Sequence, residues 1–201
     1  VAKSVFKNYY KDWKQDYIID RAPWGYPINL KFLKEIKSNI KIIILVRDII
    51  EVLGSFIDWS NREPTAFVNQ YEAKTVEEKC DMLMNKDGQI VKELIGIKHL
   101  LDHQPKEIYH VVKFNDLVKN TENTIDGVYN FLGISKFKHD FNNISQFKVN
   151  DMGYDDTIVG NGLHTLKTGA ISNYKEKYDA YSIIPKSIID KYKQCNFWEE
   201  I

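Results

Sequence analysis

Cysteine is scarce in this 201-residue chain: Cys80 and Cys195 are the whole complement. Two such distant thiols make neither a disulfide framework nor a Cys-x-x-Cys metal site, so the expected setting is a reducing compartment, the cytoplasm. An excess of either charge is missing as well, with Lys+Arg and Asp+Glu at 28 each. That balance lacks the basic footprint of a protein that binds nucleic acid or an anionic membrane. The longest aliphatic run, Ile42 to Val46, is far too short to span a bilayer. No methionine or signal peptide opens the sequence at Val1, which reads as the start of a fragment. Internal repeats, low-complexity tracts and linkers are also lacking, so residues 1–201 are expected to form a single domain.

What is present is the make-up of an ordinary soluble globular protein, 43% hydrophobic and 28% charged. Lys41-Ile42-Ile43-Ile44-Leu45-Val46-Arg47-Asp48 organises the rest. Five apolar residues without alternation predict a strand buried on both faces, as in a parallel sheet covered by helices. After Asp48 the period changes, and Ile49, Val52, Leu53, Phe56 and Ile57 fall on one helical face. Asp48 suits the N-cap, with Glu51 as its capping-box partner. Arg47 then stands at the carboxyl tip of a parallel strand, where open α/β sheets place ligands. Ser55, in the returning helix, can face the same place. A guanidinium and a hydroxyl converging there suit a phosphate. The plainer alternative is a surface arginine paired with Asp48 and a small residue tolerated in a helix.

Before this stretch, Val5, Phe6, Tyr9, Tyr10 and Trp13 predict an amphipathic helix, and Asp16–Asp20 a short buried strand. Asn29 opens a helix carrying Leu30, Leu33 and Ile36, which completes a βαβ unit. From Asn61 to Gln104 the chain is expected to be helical, with a capping box at Thr75 and Glu78. An apolar stripe of Ile90, Leu94, Ile97 and Leu101 follows, interrupted by Gly96. Glu107–Phe114 reads as a further strand, leading to a helix that ends at Gly133. Residues 142–173 are polar and aperiodic, longer than a passive loop usually is. Pro185 starts a final helix reaching Phe197-Trp198.

Leu45-Val46-Arg47-Asp48 with Leu53-Gly54-Ser55-Phe56 resembles the 3′-phosphate-binding motif of sulfotransferases that use 3′-phosphoadenosine 5′-phosphosulfate (PAPS). Lys167-Thr168-Gly169-Ala170-Ile171-Ser172-Asn173-Tyr174 is similar to the late Arg-Lys-Gly loop of that family, with Thr168 in place of a basic residue. Phe114-Asn115-Asp116-Leu117 resembles a Tyr-Glu-Asp-Leu segment, Phe114 replacing the tyrosine near the adenine. Arg21, two residues before Pro23, stands where many family members keep a lysine against the transferring group. Further similar stretches, Gly162-Leu163-His164 and Phe137–Phe141 among them, carry the resemblance over most of the chain, toward the bacterial type.

The resemblance implies an α/β, three-layer fold like that of the P-loop NTPases, a central parallel sheet flanked by helices, with its N-terminal strand missing. It implies sulfuryl transfer from PAPS to a hydroxyl or amine on a small-molecule, carbohydrate or peptide acceptor, without a metal. Arg21 becomes the catalytic candidate, and Arg47, Ser55, Phe114, Lys167, Thr168 and Gly169 the nucleotide-binding candidates. The glycine-rich loop that would hold the 5′-phosphosulfate does not occur: there is no Gly-x-x-x-x-Gly-Lys and no Arg/Lys-Ser-Gly-Thr. The chain as given is therefore expected to be inactive. Two rivals stand beside this reading, an ATP-dependent small-molecule kinase on a related fold and a non-catalytic nucleotide-binding module.

Metal readings have less behind them. His99 and His103 are spaced i, i+4, but Leu100 stands where a zinc protease needs glutamate. Asp151, Asp155 and Asp156 lack the calcium-loop pattern and its closing glutamate.

Overall fold

The computed structural model describes residues 2–146, 148–149, 152–153, 168–171 and 179–200. They fall into two compact units. The first comprises residues 1–44 and 86–111, the second residues 45–85 and 112–201. Strands β1 (Ile42–Val46) and β2 (Tyr109–Lys113) pair in a small parallel sheet, the α/β fold expected from the sequence.

In the first unit, α1 (Ala2–Tyr9) packs on α2 (Pro27–Ile36). The second helix starts at Pro27, two residues earlier than expected, because a proline at the first helical position loses no intrahelical hydrogen bond. Helix α5 (Gln89–His103) buries Ile90, Leu94, Gly96 and Leu100. The stripe thus closes on Leu100 rather than Leu101. Gly96 is there for close approach: a β-carbon on it would stand 3.0 Å from the Tyr26 amide nitrogen. The predicted strand at Asp16–Asp20 does not form. Its backbone is irregular and Ile19 is 91% exposed. A strand needs a partner's ladder, and among the described residues none runs beside it.

The second unit is built on α3 (Ile49–Arg62), which packs against α4 (Val76–Met84), α8 (Ala180–Ile183) and α9 (Lys186–Tyr192). Ile49, Ile50, Leu53 and Ile57 are almost wholly buried. Thr75 and Glu78 form the expected capping box on α4. The final helix stops at Tyr192, and two short 3-10 turns carry the chain through Phe197 and Trp198. After β2, Phe114 is not the strand's last residue but the first of α6 (Phe114–Lys119). The helix expected from Leu117 to Leu132 breaks at Asn120, whose φ/ψ of −136°/50° leaves the helical region. Helix α7 (Thr121–Leu132) follows and ends on Gly133 in the left-handed conformation. Strands β3 (Lys148–Val149) and β4 (Met152–Gly153) make a small antiparallel pair.

Strand β1 is not buried on both faces. Ile44 and Val46 are buried, whereas Ile43 and Leu45 are 45% and 56% exposed. The residues alternate as they do in a sheet covered on one side.

Gly25 offers a test of packing in the first unit. A β-carbon there would lie 2.7 Å from the Gly96 carbonyl oxygen, a contact that backbone must yield to relieve. Gly25→Ala is expected to lower stability by about 1–3 kcal/mol, as overpacking does elsewhere. Urea unfolding measures it, and an unchanged midpoint would refute the close approach.

Candidate functional site

The strand-to-helix switch at Arg47-Asp48 is held by side chains from three parts of the second unit. Asp48 Oδ1 accepts from the amides of Ile50 at 2.8 Å and Glu51 at 3.1 Å, the N-cap expected from the sequence. The remaining first-turn amide, Ile49 N–H, donates to Asn196 Oδ1 at 2.8 Å. Asn196 Nδ2 and the Tyr181 hydroxyl both donate to Asp48 Oδ2, at 2.6 and 3.1 Å. The first three amides of α3 are therefore satisfied within the chain. Partial desolvation, with the Asp48 carboxylate beside it, pushes the Tyr181 phenol up to about 12. Sequence pattern gave no sign of Asn196 or Tyr181, which lie more than 130 positions from Asp48.

Glu51 does not complete a capping box. Its Oε2 accepts from Arg47 Nε at 2.9 Å, and the side chains are only 18% (Arg47) and 24% (Glu51) exposed. The i, i+4 spacing that permits this pair is visible in the sequence, beside the capping-box spacing that competes for the same side chain. The Arg47 guanidinium also lies over the Phe114 ring, 4.6 Å from its centroid, a cation–π distance. Parallel switches make this contact: β1 runs into α3 and β2 into α6, so residues at the two strand tips meet. Ser55 is half-buried and stands one helical turn beyond Glu51 on the same face of α3. Arg47, Glu51 and Phe114 thus meet at the strand tips, with Ser55 one turn further along α3.

Of the late loop, Lys167 lies outside the described residues. Thr168 is exposed and Gly169 is half-buried. Gly169 has φ 99°, a conformation that favours glycine, and exchanges two backbone hydrogen bonds with Ile144, at 2.8 and 2.9 Å.

Arg21 belongs to the first unit. It is exposed, on irregular backbone rather than at a strand tip. Its neighbour Asp20 accepts from the Trp24 indole at 3.0 Å. Partial desolvation raises the Glu93 carboxyl from its ordinary value, and the Arg21 charge works against that rise. The same unit has a cleft of about 430 Å³ lined by Pro27, Leu30, Lys31, Lys34, His99 and Gln104, among others. There Lys34 Nζ donates to Gln104 Oε1 at 2.6 Å. The His99 and His103 rings are 5.2 Å apart. Among the described residues no group of three or more His, Cys, Asp or Glu side chains could hold a metal ion. No helix among them is long and apolar enough to cross a membrane.

The model of the sulfotransferase domain family matches residues 27–162. That is more than half of the chain, and the chain belongs to this family. The match contains Arg47, Glu51, Ser55 and Phe114 but neither Arg21 nor the 168–171 segment. A solved structure, the sulfotransferase domain from the curacin biosynthetic pathway, has a similar fold, with a TM-score of 0.55 at 18% identity. The similarity covers 96% of this chain and 61% of that one. A search of curated protein sequences finds no match.

The cap network can be tested by titration. Asp48→Asn removes the carboxylate charge beside Tyr181, so the phenol's ionisation should fall from about 12 toward its ordinary value while partial desolvation keeps part of the rise. NMR of tyrosine ring carbons against pH reports it. A Tyr181 titration that does not move would refute the Asp48 contact.

Proposed function

We propose that the protein is a PAPS-dependent sulfotransferase, a single domain that moves a sulfuryl group to a hydroxyl or amine and releases adenosine 3′,5′-bisphosphate. Arg47 carries this reading: its guanidinium is largely shielded from water, oriented by Glu51 and placed over the Phe114 ring. The donor set fits the nucleotide's 3′ end. A guanidinium offers a fork of N–H donors to phosphate oxygens, Ser55 adds a hydroxyl, and Phe114 gives an apolar face beside them. Family membership supports the same chemistry.

In this reading Arg47 and Ser55 hold the 3′-phosphate, with Thr168, Gly169 and Lys167 contributing from the late loop. PAPS supplies the activated sulfuryl group. Arg21 is the proposed cation for the charge that develops on the transferring group, where a fixed positive charge lowers the barrier more than it tightens ground-state binding. No residue of this chain is proposed for the 5′-phosphosulfate. The acceptor is a small molecule, carbohydrate or peptide, the compartment the cytoplasm, and no metal takes part.

Charge-assisted hydrogen bonds contribute ~1.5–3 kcal/mol each, so Arg47→Ala should weaken adenosine 3′,5′-bisphosphate binding roughly ten- to a hundredfold. Calorimetry should also show the wild-type protein preferring that ligand to AMP. Equal affinity for the two would overturn the 3′-phosphate assignment. Arg21 is tested by turnover in a form of the protein that also carries a 5′-phosphosulfate-binding loop: there Arg21→Ala should cut sulfate transfer from labelled PAPS by about two orders of magnitude, as loss of one transition-state donor does. Nucleotide affinity should change far less, and Arg21→Lys should keep part of the rate. Unchanged turnover in Arg21→Ala would remove the arginine from the chemistry.

A further inference from the structure

We propose that Glu51 is a built-in competitor for the 3′-phosphate, a carboxylate that limits how tightly Arg47 holds the nucleotide. The inference rests on the reading of Arg47 as the phosphate residue. Its basis is the pair itself: Glu51 Oε2 accepts a hydrogen bond from Arg47 Nε at 2.9 Å, on two side chains each more than three-quarters shielded from water. At such a site charges are screened less than on an open surface. Ser55 follows Glu51 by one turn on the same face, so an anion reaching both Arg47 and Ser55 passes close to the Glu51 carboxylate.

Two effects of Glu51 oppose each other. Its hydrogen bond orients the guanidinium, which favours binding. Its negative charge repels phosphate oxygens and offsets part of the Arg47 charge, which disfavours it. The second effect is the larger here, because the guanidinium also lies over the Phe114 ring, 4.6 Å from its centroid, and so does not depend on Glu51 alone for its position. The consequence is a moderated affinity at the 3′ end, present alike in the donor and in the spent nucleotide, which favours product release.

Glu51→Gln separates the effects. Glutamine keeps an oxygen that can accept from Arg47 Nε and loses the charge. Calorimetry of the protein with adenosine 3′,5′-bisphosphate and with AMP should give the variant about tenfold tighter binding of the bisphosphate, as removal of one close like charge implies, with AMP nearly unchanged. Asp126→Asn, which removes a charge from the Asp126–Lys136 pair on α7, serves as the control for net charge and should leave both affinities unaltered. Unchanged or weaker bisphosphate binding by Glu51→Gln would overturn the proposal, as would an equal gain for both ligands or the same gain in Asp126→Asn. Failure of the underlying reading looks different: the wild-type protein would then bind the two nucleotides equally well.

Discussion

The Asp48 carboxylate is the contact on which the second unit's candidate site depends. One oxygen closes the start of α3 through the Ile50 and Glu51 amides, and the other receives Asn196 and Tyr181. A helix start left open exposes several unsatisfied amides, and an N-cap of this type is worth ~1 kcal/mol. Here one side chain also draws in the C-terminal segment, because Asn196 covers the amide that Asp48 does not reach. The turn between β1 and α3 is thereby fixed, and with it the position from which Arg47 projects.

Arg47 is then constrained from two directions, along one edge by Glu51 and on one face by Phe114. Each partner follows from a simple feature of the chain. Glu51 is one turn into the helix that Asp48 caps, and Phe114 is the first residue after the neighbouring strand. A parallel pair of strands, each running straight into a helix, brings such residues together at one end of the sheet. Preorganisation of this kind reduces the ordering cost that a flexible arginine would otherwise incur on meeting an anion.

Much of this was legible in the sequence, for identifiable reasons. The change from a solid apolar run to a helical period marked the β1–α3 switch, and Asp48 was readable as a cap because capping is local. Gly133 and Thr75 were legible on the same ground. Contacts that bridge long stretches of chain were not. Asn196 and Tyr181 carry no local signature of their role, and Gly25 reads as a loop residue until Gly96 is found against it. The strand expected at Asp16–Asp20 failed because an apolar run states only that a strand is possible, not that a partner lies beside it. Full burial of β1 failed similarly: Ile43 and Leu45 are apolar, yet both are exposed. Glu51 departs from the capping-box expectation because two local rules, the capping box and the i, i+4 ion pair, compete for one side chain, and the neighbouring arginine holds it.

The central claim is that Arg47 recognises a 3′-phosphate, and phosphorus NMR of bound adenosine 3′,5′-bisphosphate tests it most directly, since the two phosphates give separate resonances. The account predicts that binding moves the 3′ resonance, and that Arg47→Ala abolishes this shift under conditions where the nucleotide still binds. A 3′ resonance that stays in place on binding, or one that moves equally in Arg47→Ala, would contradict it.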